Sequence, residues 1–392
     1  MDIDIPLEER LIGLHLRKNA KLHADRPFVT ISDRTMSFGE MDDAARAVAR
    51  GLRSCGVGDG DRVLMMVPNC CEQVVAWFAA SLLGASEVPI NPALKGMLLE
   101  AVLSDSRPRV MIVDAGIAAE LEAIRPDVLP AYVFVVGELE RELDLGSTTV
   151  APYGQLVVRE GVDPEIAGDY RRIQLIAYTS GTTGPSKGAM LSNSASFYAP
   201  MNYIKVMGMQ PHDSIFSPLP LYHGMSSHHG IMPSLVLGTH ITIDEKFSAS
   251  RYWQRAAECK ATLGMVVHAI VPLLKVQPPH FADHAHGLRA IFNAKHDAEV
   301  EERFGVRTVE AYAMTEVSHI LHTPYEERRW GSTGRANPLW EVRLVDDQDR
   351  EVPHGEAGEL ICRPRLPHMM MTGYLNKPDI TLETCRNLWY HT

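Results

Sequence analysis

Residues 178–188 read YTSGTTGPSKG, and this stretch follows an apolar segment with the pattern of a buried strand. A loop so rich in Gly, Ser and Thr offers backbone N–H groups and hydroxyls at high density, and Lys187 adds a positive charge suited to a polyphosphate. The order is not that of a Walker A loop, because Ser186 precedes the lysine and Gly188 follows it. That motif places Gly before the lysine and Ser or Thr after it. The stretch therefore predicts a phosphate-binding loop of another kind.

The segments on both sides of this loop alternate between strand-like and helix-like patterns. In residues 41–55, for example, apolar side chains recur at helical spacing. Asn69 stands where its side chain can cap a helix over residues 71–83. The predicted strands are residues 26–31, 62–67, 110–113, 173–178, 214–218, 239–243 and 263–267, and the predicted helices include residues 41–55, 71–83, 95–104, 252–259 and a segment from about 192. Such alternation predicts an α/β fold of mostly parallel sheets flanked by helices.

This alternation changes character twice along the chain. A polar, less regular stretch covers residues 138–169, and from Gly331 onward short strand-like segments are separated by many Pro and Gly residues. These changes predict an N-terminal α/β subdomain over residues 1–170 and a second α/β subdomain over residues 171–330 that carries the phosphate loop. A smaller β-rich subdomain is predicted over residues 331–392.

Composition and charge narrow the class of protein. The chain has 392 residues and a net charge of −11, which excludes a chain-wide attraction to nucleic acid or to an anionic membrane. Its six cysteines form neither a disulfide framework nor a C-x-x-C pair, and no uninterrupted apolar stretch reaches the roughly 18 residues of a membrane span. We therefore expect a soluble, cytoplasmic protein that does not insert into membranes and that binds an anionic ligand only through a local positive site.

Further motifs occur in a fixed order along the chain. They read GDGDR at residues 58–62, VPN at 67–69, SPLPLYHG at 217–224, AYAMTE at 311–316, GSTGR at 331–335, GEAGEL at 355–360 and GYLNKP at 373–378. Together with the phosphate loop they resemble the adenylate-forming superfamily, which includes acyl-CoA synthetases, nonribosomal adenylation domains and firefly luciferase. The loop of that superfamily usually ends in Gly-x-Pro-Lys-Gly; here Pro185 and Ser186 stand in exchanged order, which leaves Lys187 in register. The resemblance covers essentially the whole chain and implies the fold of the family's large N-terminal domain.

The resemblance implies a reaction and the residues that perform it. In this superfamily a carboxylate attacks the α-phosphate of ATP, pyrophosphate leaves and an acyl-adenylate forms. Thr315 would hydrogen-bond the α-phosphate, and Glu316 would hold Mg²⁺, which prefers one or two protein carboxylates together with phosphate and water oxygens. The residues implied to bind the phosphates are Thr179, Ser180, Gly181, Thr182, Thr183, Gly184 and Lys187. The residues implied to be catalytic are Lys187, His223, Thr315 and Glu316.

The resemblance also implies where adenine and the acid bind. Tyr312 would stack on adenine, and His223 lies where the family places a residue between the acyl pocket and the thiol tunnel. The implied nucleotide site further contains Asn293, Ala311, Ala313 and Met314. The implied acid pocket contains His223, Met225, Ser226, Gly230, Ala294 and Ala311. These pocket residues include no carboxylate for a trimethylammonium group and no aromatic cage, so we expect an aliphatic or alicyclic carboxylic acid.

Two departures from the family pattern fall near the implied nucleotide site. Ala313 replaces the usual glycine, and residues 291–297 read IFNAKHD where many relatives have Gly-Gly-Ala-Pro. Three other segments, VQPPHFAD at residues 276–283, ERFGVR at 302–307 and RRWGS at 328–332, resemble the carnitine/crotonobetaine-CoA ligase branch. That likeness lies in the scaffold more than in the pocket, and it therefore does not identify the acid.

The sequence leaves three functions in competition. The leading hypothesis is an AMP-forming acid–CoA ligase that uses ATP, Mg²⁺ and CoA. A second is an adenylation enzyme that delivers the acyl group to a carrier-protein thiol or to an amine. Its amino-acid-activating version usually places an Asp early in the pocket, and Asp213 lies upstream of that region. The third is a pseudoenzyme that only binds a nucleotide or an acyl group, and the presence of Lys187, Thr315 and Glu316 argues against it.

The last residues of the chain carry one more expectation. The family continues its Trp-x-x-Thr segment with Gly-Asp, and here WYHT ends the chain at residues 389–392. By the resemblance, a mobile C-terminal domain of about 100 residues should follow and should rotate between the two half-reactions. We therefore expect the 392-residue chain to be a large N-terminal domain that folds but turns over poorly.

Overall fold

The computed structural model describes residues 4–179, 186–292, 295–323, 325–326, 329 and 331–392. The strands are β1 (Pro27–Ile31), β2 (Arg34–Ser37), β3 (Arg62–Met66), β4 (Ser86–Pro89), β5 (Val110–Asp114), β6 (Tyr132–Val136), β7 (Thr149–Pro152), β8 (Ile173–Thr179), β9 (Lys187–Ser192), β10 (Ser214–Ser217), β11 (His240–Ile243), β12 (Leu263–Met265), β13 (Ala290–Phe292), β14 (Arg307–Val309), β15 (Ala311–Met314), β16 (Ser318–His322), β17 (Arg335–Ala336), β18 (Trp340–Val345), β19 (Glu359–Pro364), β20 (Gly373–Tyr374) and β21 (Tyr390–His391). The helices are α1 (Ile12–Leu22), α2 (Phe38–Ser54), α3 (Cys71–Leu82), α4 (Gly96–Ser106), α5 (Asn193–Val206), α6 (Gly224–Ser226), α7 (Met232–Leu237), α8 (Tyr252–Glu258), α9 (Val271–Lys275), α10 (Ala298–Phe304) and α11 (Pro378–Thr384). A π-helical segment, Ser227–Ile231, joins α6 to α7.

The larger sheet has the strand order β20-β9-β8-β4-β3-β5-β6-β7. Neighbouring strands from β8 to β7 run parallel, whereas β9 pairs antiparallel with β8 and β20 pairs antiparallel with β9. Parallel strands covered on both faces are apolar along their whole length. The RVLMM sequence of β3, in which the last four residues are buried, is an example.

The second large sheet has the strand order β14-β13-β12-β10-β11-β1-β2. All neighbouring strands run parallel except the hairpin of β1 and β2. In this sheet Val29 of β1 pairs with Ile241 of β11. The sheet therefore combines a segment from the start of the chain with strands from its middle.

Two small antiparallel sheets, β15-β16-β17 and β18-β19-β21, complete the fold. The predicted α/β class, with parallel sheets flanked by helices and a smaller β-rich part, is confirmed. The predicted subdomain boundaries at residues 170 and 330 stay a prediction. Both large sheets contain strands from before and after residue 170.

Helices α2 and α3 pack on each other, and α3 lies between the two large sheets, in contact with β1 on one side and with β3 and β4 on the other. In α3 every residue except Glu72 is buried, as expected for a helix that is apolar on all sides. Helix α2 begins with a capping box: Ser37 Oγ accepts the N–H of Glu40, and the Glu40 carboxylate accepts the N–H of Ser37. This helix pair forms the centre of the largest apolar core.

Asn69 does not cap α3, and that prediction was wrong. Cys70 occupies the N-cap position and makes no side-chain cap hydrogen bond. The Asn69 amide instead donates to the carbonyls of Leu219 at 3.0 Å and Asp244 at 2.9 Å, and it accepts the N–H of Leu221 at 2.7 Å. Because Asn69 follows β3 and its partners follow β10 and β11, one buried amide ties the loops of the two large sheets together.

The motif segments follow the carboxyl ends of strands. The phosphate loop follows β8, the SPLPLYHG motif starts at the last residue of β10, and residues 293–297 follow β13. In open parallel sheets, ligands bind at this edge, where loops leave the carboxyl ends of the strands. In the described residues, no helix combines the length and the apolarity needed to cross a bilayer.

Candidate active site

Strands β8 and β9 flank the phosphate loop as an antiparallel hairpin in which Thr179 pairs with Lys187. Thr179 Oγ1 donates to the Lys187 carbonyl at 3.4 Å, and Lys187 is partly exposed. A Cβ at Gly188 would lie 2.9 Å from the Ile176 side chain, so the close packing of the hairpin requires glycine after the lysine. The other predicted loop residues lie outside the described part of the chain: Ser180, Gly181, Thr182, Thr183 and Gly184.

A tyrosine from late in the sequence lies beside Lys187. Strand β20 pairs with β9 and places Tyr374 opposite Ala189. Lys187 Nζ lies 4.9 Å from the centroid of the Tyr374 ring, within range of a cation–π contact. Tyr374 Oη also donates to Glu316 Oε1 at 2.8 Å. The phenol therefore joins the cation of the phosphate loop to the carboxylate implied to hold Mg²⁺. The sequence assigned no role to Tyr374, and only its place in GYLNKP pointed to it.

Glu316 lies in the turn between β15 and β16 and is 5% exposed. Its backbone carbonyl accepts the N–H of Met371 at 2.7 Å, so the segment before β20 holds the turn in place. The neighbouring Thr315 is exposed, so it is accessible to a ligand. The Tyr374 phenol that donates to the Glu316 carboxylate carries no positive charge, so this contact does not compete with a cation for the carboxylate. A single carboxylate of this kind fits the coordination that Mg²⁺ prefers.

Tyr312 and Ala313 lie on β15 at an irregularity in its pairing with β16, where the register shifts between them. Bulges of this kind re-aim side chains and are common beside active sites. Ala313 is exposed, Ala311 is buried, and the hydroxyl of the partly buried Tyr312 lies 3.9 Å from the sulfur of Met314. The methyl group of Ala313, which a glycine would lack, is therefore accessible at this irregularity. Asn293 and Ala294, predicted for the same region, lie outside the described residues.

His223 occupies the N-cap position of α6, where its Nδ1 accepts the N–H of Met225 at 3.3 Å. An accepting Nδ1 places the ring proton of the neutral imidazole on Nε2. The surrounding protein desolvates the ring and lowers the pKa of His223, which favours the neutral form near pH 7. The residue nevertheless keeps an exposed edge, and Met225 is partly exposed beside it. His223 can therefore offer an uncharged N–H donor to a ligand.

The residues that follow Met225 divide between two sides of their helical segment. Ser226 Oγ lies 2.5 Å from Ser217 Oγ, and a Cβ at Gly230 would lie 2.8 Å from the Ile241 side chain. Both predicted pocket residues thus face the core beneath the second large sheet. His229, which the sequence did not assign to the pocket, lies on the side of the segment that contacts β16.

Residues 16–375 match the family model described as AMP-binding enzyme. The chain belongs to the AMP-binding enzyme family. The crotonobetaine/carnitine–CoA ligase of Salmonella heidelberg (strain SL476) is 29% identical over 374 residues, which cover 92% of this chain and 71% of that protein. The N-terminal domain of FACL13 from Mycobacterium tuberculosis has a similar structure, with a TM-score of 0.82 and 25% identity over 97% of this chain and 95% of that chain. The anthranilate CoA ligase AuaEII, solved with anthranoyl-AMP, shares the fold with a TM-score of 0.90 and 23% identity, over 99% of this chain and 76% of that chain.

These matches confirm the resemblance drawn from the motifs, both to the adenylate-forming enzymes and, within them, to the carnitine/crotonobetaine-CoA ligase branch. The matched range of the AMP-binding family includes the phosphate loop, the Thr315-Glu316 turn and Tyr374. The site described above therefore lies within the family domain.

Asp213 belongs to the scaffold of this AMP-binding enzyme and does not offer its carboxylate to a ligand. Its side chain is 1% exposed. Arg289 donates to both carboxylate oxygens, at 2.7 and 3.2 Å, and Thr262 Oγ1 donates at 2.7 Å. Burial alone would raise the pKa of Asp213, but the hydrogen bonds from Arg289 and Thr262 outweigh it and lower the pKa. The carboxylate is therefore engaged in a structural ion pair.

Proposed function

We propose that this AMP-binding enzyme activates a carboxylic acid with ATP and then transfers the acyl group to the thiol of CoA. One observation carries the proposal. Three segments that are far apart in the sequence meet at Tyr374, whose ring lies against Lys187 and whose hydroxyl binds Glu316. A loop cation and a buried carboxylate on either side of one side chain are the groups that a nucleoside triphosphate and its Mg²⁺ require. The names of the relatives, which are CoA ligases, support the same conclusion.

In the first half-reaction a carboxylate oxygen of the acid forms a bond to the α-phosphorus of ATP while the bond to pyrophosphate breaks. Two anions must approach each other, so positive charge and hydrogen-bond donors have to be in place beforehand. Lys187 would contact the β- and γ-phosphates, and the exposed Thr315 would donate to the α-phosphate. Glu316 would hold Mg²⁺, which supplies neutralisation of the phosphate charge.

In the second half-reaction the thiol of CoA loses its proton to the solvent and its sulfur forms a bond to the acyl carbon, while the bond from that carbon to the phosphate oxygen of AMP breaks and AMP leaves with the electron pair. We assign to His223 a donor role toward the carboxylate oxygen of the bound acid. This assignment is supported by the neutral ring, by the proton on Nε2 and by the exposed edge of the residue. A neutral donor can orient the acid without trapping it in an ion pair.

We propose an aliphatic or alicyclic acid as the substrate and the cytoplasm as the place of reaction. The six cysteines, all of which are free, support a reducing compartment. An amino acid as the activated substrate is not favoured, because the carboxylate of Asp213 is engaged by Arg289. No contact in the described part of the chain favours a carrier-protein thiol over CoA.

The function is tested by measuring pyrophosphate release with a panel of acids and then thioester formation with and without CoA. In a chain that adenylates an acid, Lys187→Ala and Glu316→Ala should each lower kcat/KM for pyrophosphate release about 10–1000-fold, the range for one lost electrostatic contact. Lys18→Ala, which removes an exposed cation on α1, serves as the matched control and should leave the rate unchanged. Absence of pyrophosphate release with every acid would refute the proposal, and unchanged rates in the first two variants would refute the assigned roles.

A further inference from the structure

Near the exposed Ala313, a group of aromatic rings surrounds polar atoms that have no hydrogen-bond partner among the described residues. The ring of His229 lies 4.6 Å from that of His319, and Phe292 lies 5.5 Å from His319 and 6.2 Å from His229, measured between centroids. Tyr203 packs edge-on against Phe292 at 5.4 Å. We call His229, His319 and Phe292, with Tyr203 behind them, the histidine wall. Its members come from the π-helical segment, β16, β13 and α5, which places it where the site's main elements meet.

The unused atom of His229 is a hydrogen-bond acceptor. His229 Nδ1 lies 3.0 Å from the carbonyl oxygen of Gly224. Because a carbonyl oxygen can only accept, Nδ1 must carry the proton, and the neutral ring then has a lone pair on Nε2. Burial lowers the pKa of His229 to about 4, so the ring is neutral at physiological pH. Nε2 is buried and has no hydrogen-bond partner among the described residues.

In His319, both ring nitrogens lack a hydrogen-bond partner among the described residues. The residue is completely buried, and neither Nδ1 nor Nε2 finds a hydrogen-bond partner in the described structure. Burial lowers the pKa of His319 far below its usual value, so the ring offers one N–H donor and one acceptor. A buried polar atom without a partner is destabilising, and a bound ligand or an ordered water is the usual explanation.

Asn202 adds an unused donor next to the histidine wall. The amide of Asn337 donates both to Asn202 Oδ1 and to the His319 carbonyl, at 3.1 Å each, which fixes Asn202 beside His319. The Nδ2 of the buried Asn202 has no partner among the described residues. Among the described residues, this region thus contains three groups without a hydrogen-bond partner: the acceptor His229 Nε2, the donor Asn202 Nδ2 and the ring of His319, which can donate and accept.

One member of the histidine wall shares a sheet face with the exposed Ala313. His319 is paired with Ala313 across the β15–β16 ladder, and residues paired in this way project from the same face of a sheet. Ala313 is exposed and His319 is fully buried, so His319 lies deeper than Ala313 on that face of the sheet. His229 lies six residues beyond His223 on the facing segment and is partly exposed.

We propose that His229 and His319 form the far end of the acid pocket and select an acid whose remote end carries an uncharged group that both donates and accepts hydrogen bonds, a hydroxyl or a carboxamide. This inference rests on the proposed function, because it assumes that an acid enters beside Ala313. A hydroxyl would donate to His229 Nε2 and accept from His319, which satisfies both rings at once. A hydrocarbon end would leave these atoms buried and unpaired, and a charged end would be desolvated beside neutral rings without a countercharge from them.

The inference is tested by binding, which does not require turnover. Sulfamoyl-adenosine analogues of ω-hydroxy acids with three to eight carbons are compared with their methyl-terminated counterparts of equal length, in the full 392-residue chain, by isothermal titration calorimetry. At one chain length the hydroxyl analogue should bind about 10–100-fold more tightly, the effect of pairing otherwise unpaired buried groups. Equal affinity at every length, with pyrophosphate release intact, would overturn this inference alone. Absence of pyrophosphate release with every acid would overturn the proposed function.

Two variants test whether His229 and His319 cause the preference for the hydroxyl analogue. His229→Phe and His319→Phe each keep an aromatic ring and remove its hydrogen-bonding atoms, so the preference for the hydroxyl analogue should fall to within about threefold of unity. His286→Phe is the matched control, because this ring stacks on Trp253 in a different core cluster, and it should keep the preference. Retention of the preference in both pocket variants would overturn the proposal. If one variant fails to fold, the affinities measured with the other variant and with wild type still test the proposal.

Discussion

A buried glutamate should make the stability of this protein depend on pH. Glu87 lies on β4, in the middle of the larger sheet, and is 3% exposed. Its Oε1 accepts from Gln174 at 3.3 Å, and Gln174 in turn accepts from Ser196 at 3.0 Å. None of these partners carries a charge, and burial raises the pKa of Glu87 from 4.5 to about 8. The folded protein therefore keeps this carboxyl protonated at pH values at which the unfolded chain ionises it.

The sign and the size of the effect follow from proton linkage. Between pH 4.5 and 8 the folded state binds one proton more than the unfolded state at Glu87, so the free energy of unfolding falls as the pH rises. Each pH unit in this interval contributes about 1.4 kcal/mol, and the step from pH 5 to pH 8 amounts to about 4 kcal/mol. The stabilisation is fully present below pH 4.5 and is lost by about pH 8.

The test is Glu87→Gln, which keeps an oxygen to accept from Gln174 but cannot ionise. Urea denaturation followed by the fluorescence of the five tryptophans gives the free energy of unfolding at pH 5, 6, 7 and 8. Relative to wild type, the variant should gain about 4 kcal/mol between pH 5 and pH 8. Glu245→Gln, which removes an exposed carboxylate, controls for the loss of one negative charge. Parallel pH profiles for Glu87→Gln and wild type would contradict a raised pKa of Glu87 in the folded protein.

Two further substitutions test the site and its scaffold. Tyr374→Phe removes the 2.8 Å hydrogen bond to Glu316 but keeps the ring, so it should raise the Mg²⁺ concentration needed for half-maximal pyrophosphate release and lower kcat/KM roughly tenfold. Asp213→Asn leaves Arg289 without its carboxylate and should lower the free energy of unfolding by about 3–5 kcal/mol at pH 7. Because the pKa of Asp213 is lowered, wild type keeps this stabilisation above about pH 4 and loses it as the pH falls through the lowered pKa.

Each of these substitutions has its own control. Tyr374→Leu removes the ring as well, and it should weaken ATP binding beyond Tyr374→Phe; identical ATP affinities would argue against the contact with Lys187. Asp59→Asn breaks an exposed ion pair with Arg172 and should change the free energy of unfolding by less than about 1 kcal/mol. An equal decrease in the free energy of unfolding in the Asp59 and Asp213 variants would contradict the structural role of the buried Asp213–Arg289 pair.

The helices and many strands of the fold could be predicted from sequence, because their signal is local. The spacing of apolar residues predicts helices over 41–55 and 71–83, and the structure has Phe38–Ser54 and Cys71–Leu82. The apolar run at 173–178 corresponds to Ile173–Thr179. In each case the side chains that face the core recur with the period of the element itself.

The partners of the strands could not be predicted in the same way. No strand was predicted between the phosphate loop and the helix from about residue 192, but Lys187–Ser192 is β9, a strand stabilised by pairing with β8 and with β20 almost 200 residues away. Tyr374 was missed as a site residue for the same reason, since its role depends on a contact with Glu316 that no local pattern encodes. His319 was missed because a histidine on a short strand gives no sign that both ring nitrogens will be buried without a hydrogen-bond partner among the residues that the structure describes.

The pairing of β1 with β11 has a consequence for the synthesis of the chain. Val29 leaves the ribosome about 210 residues before its partner Ile241, and at roughly 5–20 residues per second this interval lasts about 10–40 s. During that time the hairpin of β1 and β2 presents an unpaired parallel edge, the kind of surface that recruits other chains. Nascent chains of this enzyme should therefore require holding by a chaperone until β10 and β11 emerge, and production should be most sensitive to translation speed between residues 37 and 243.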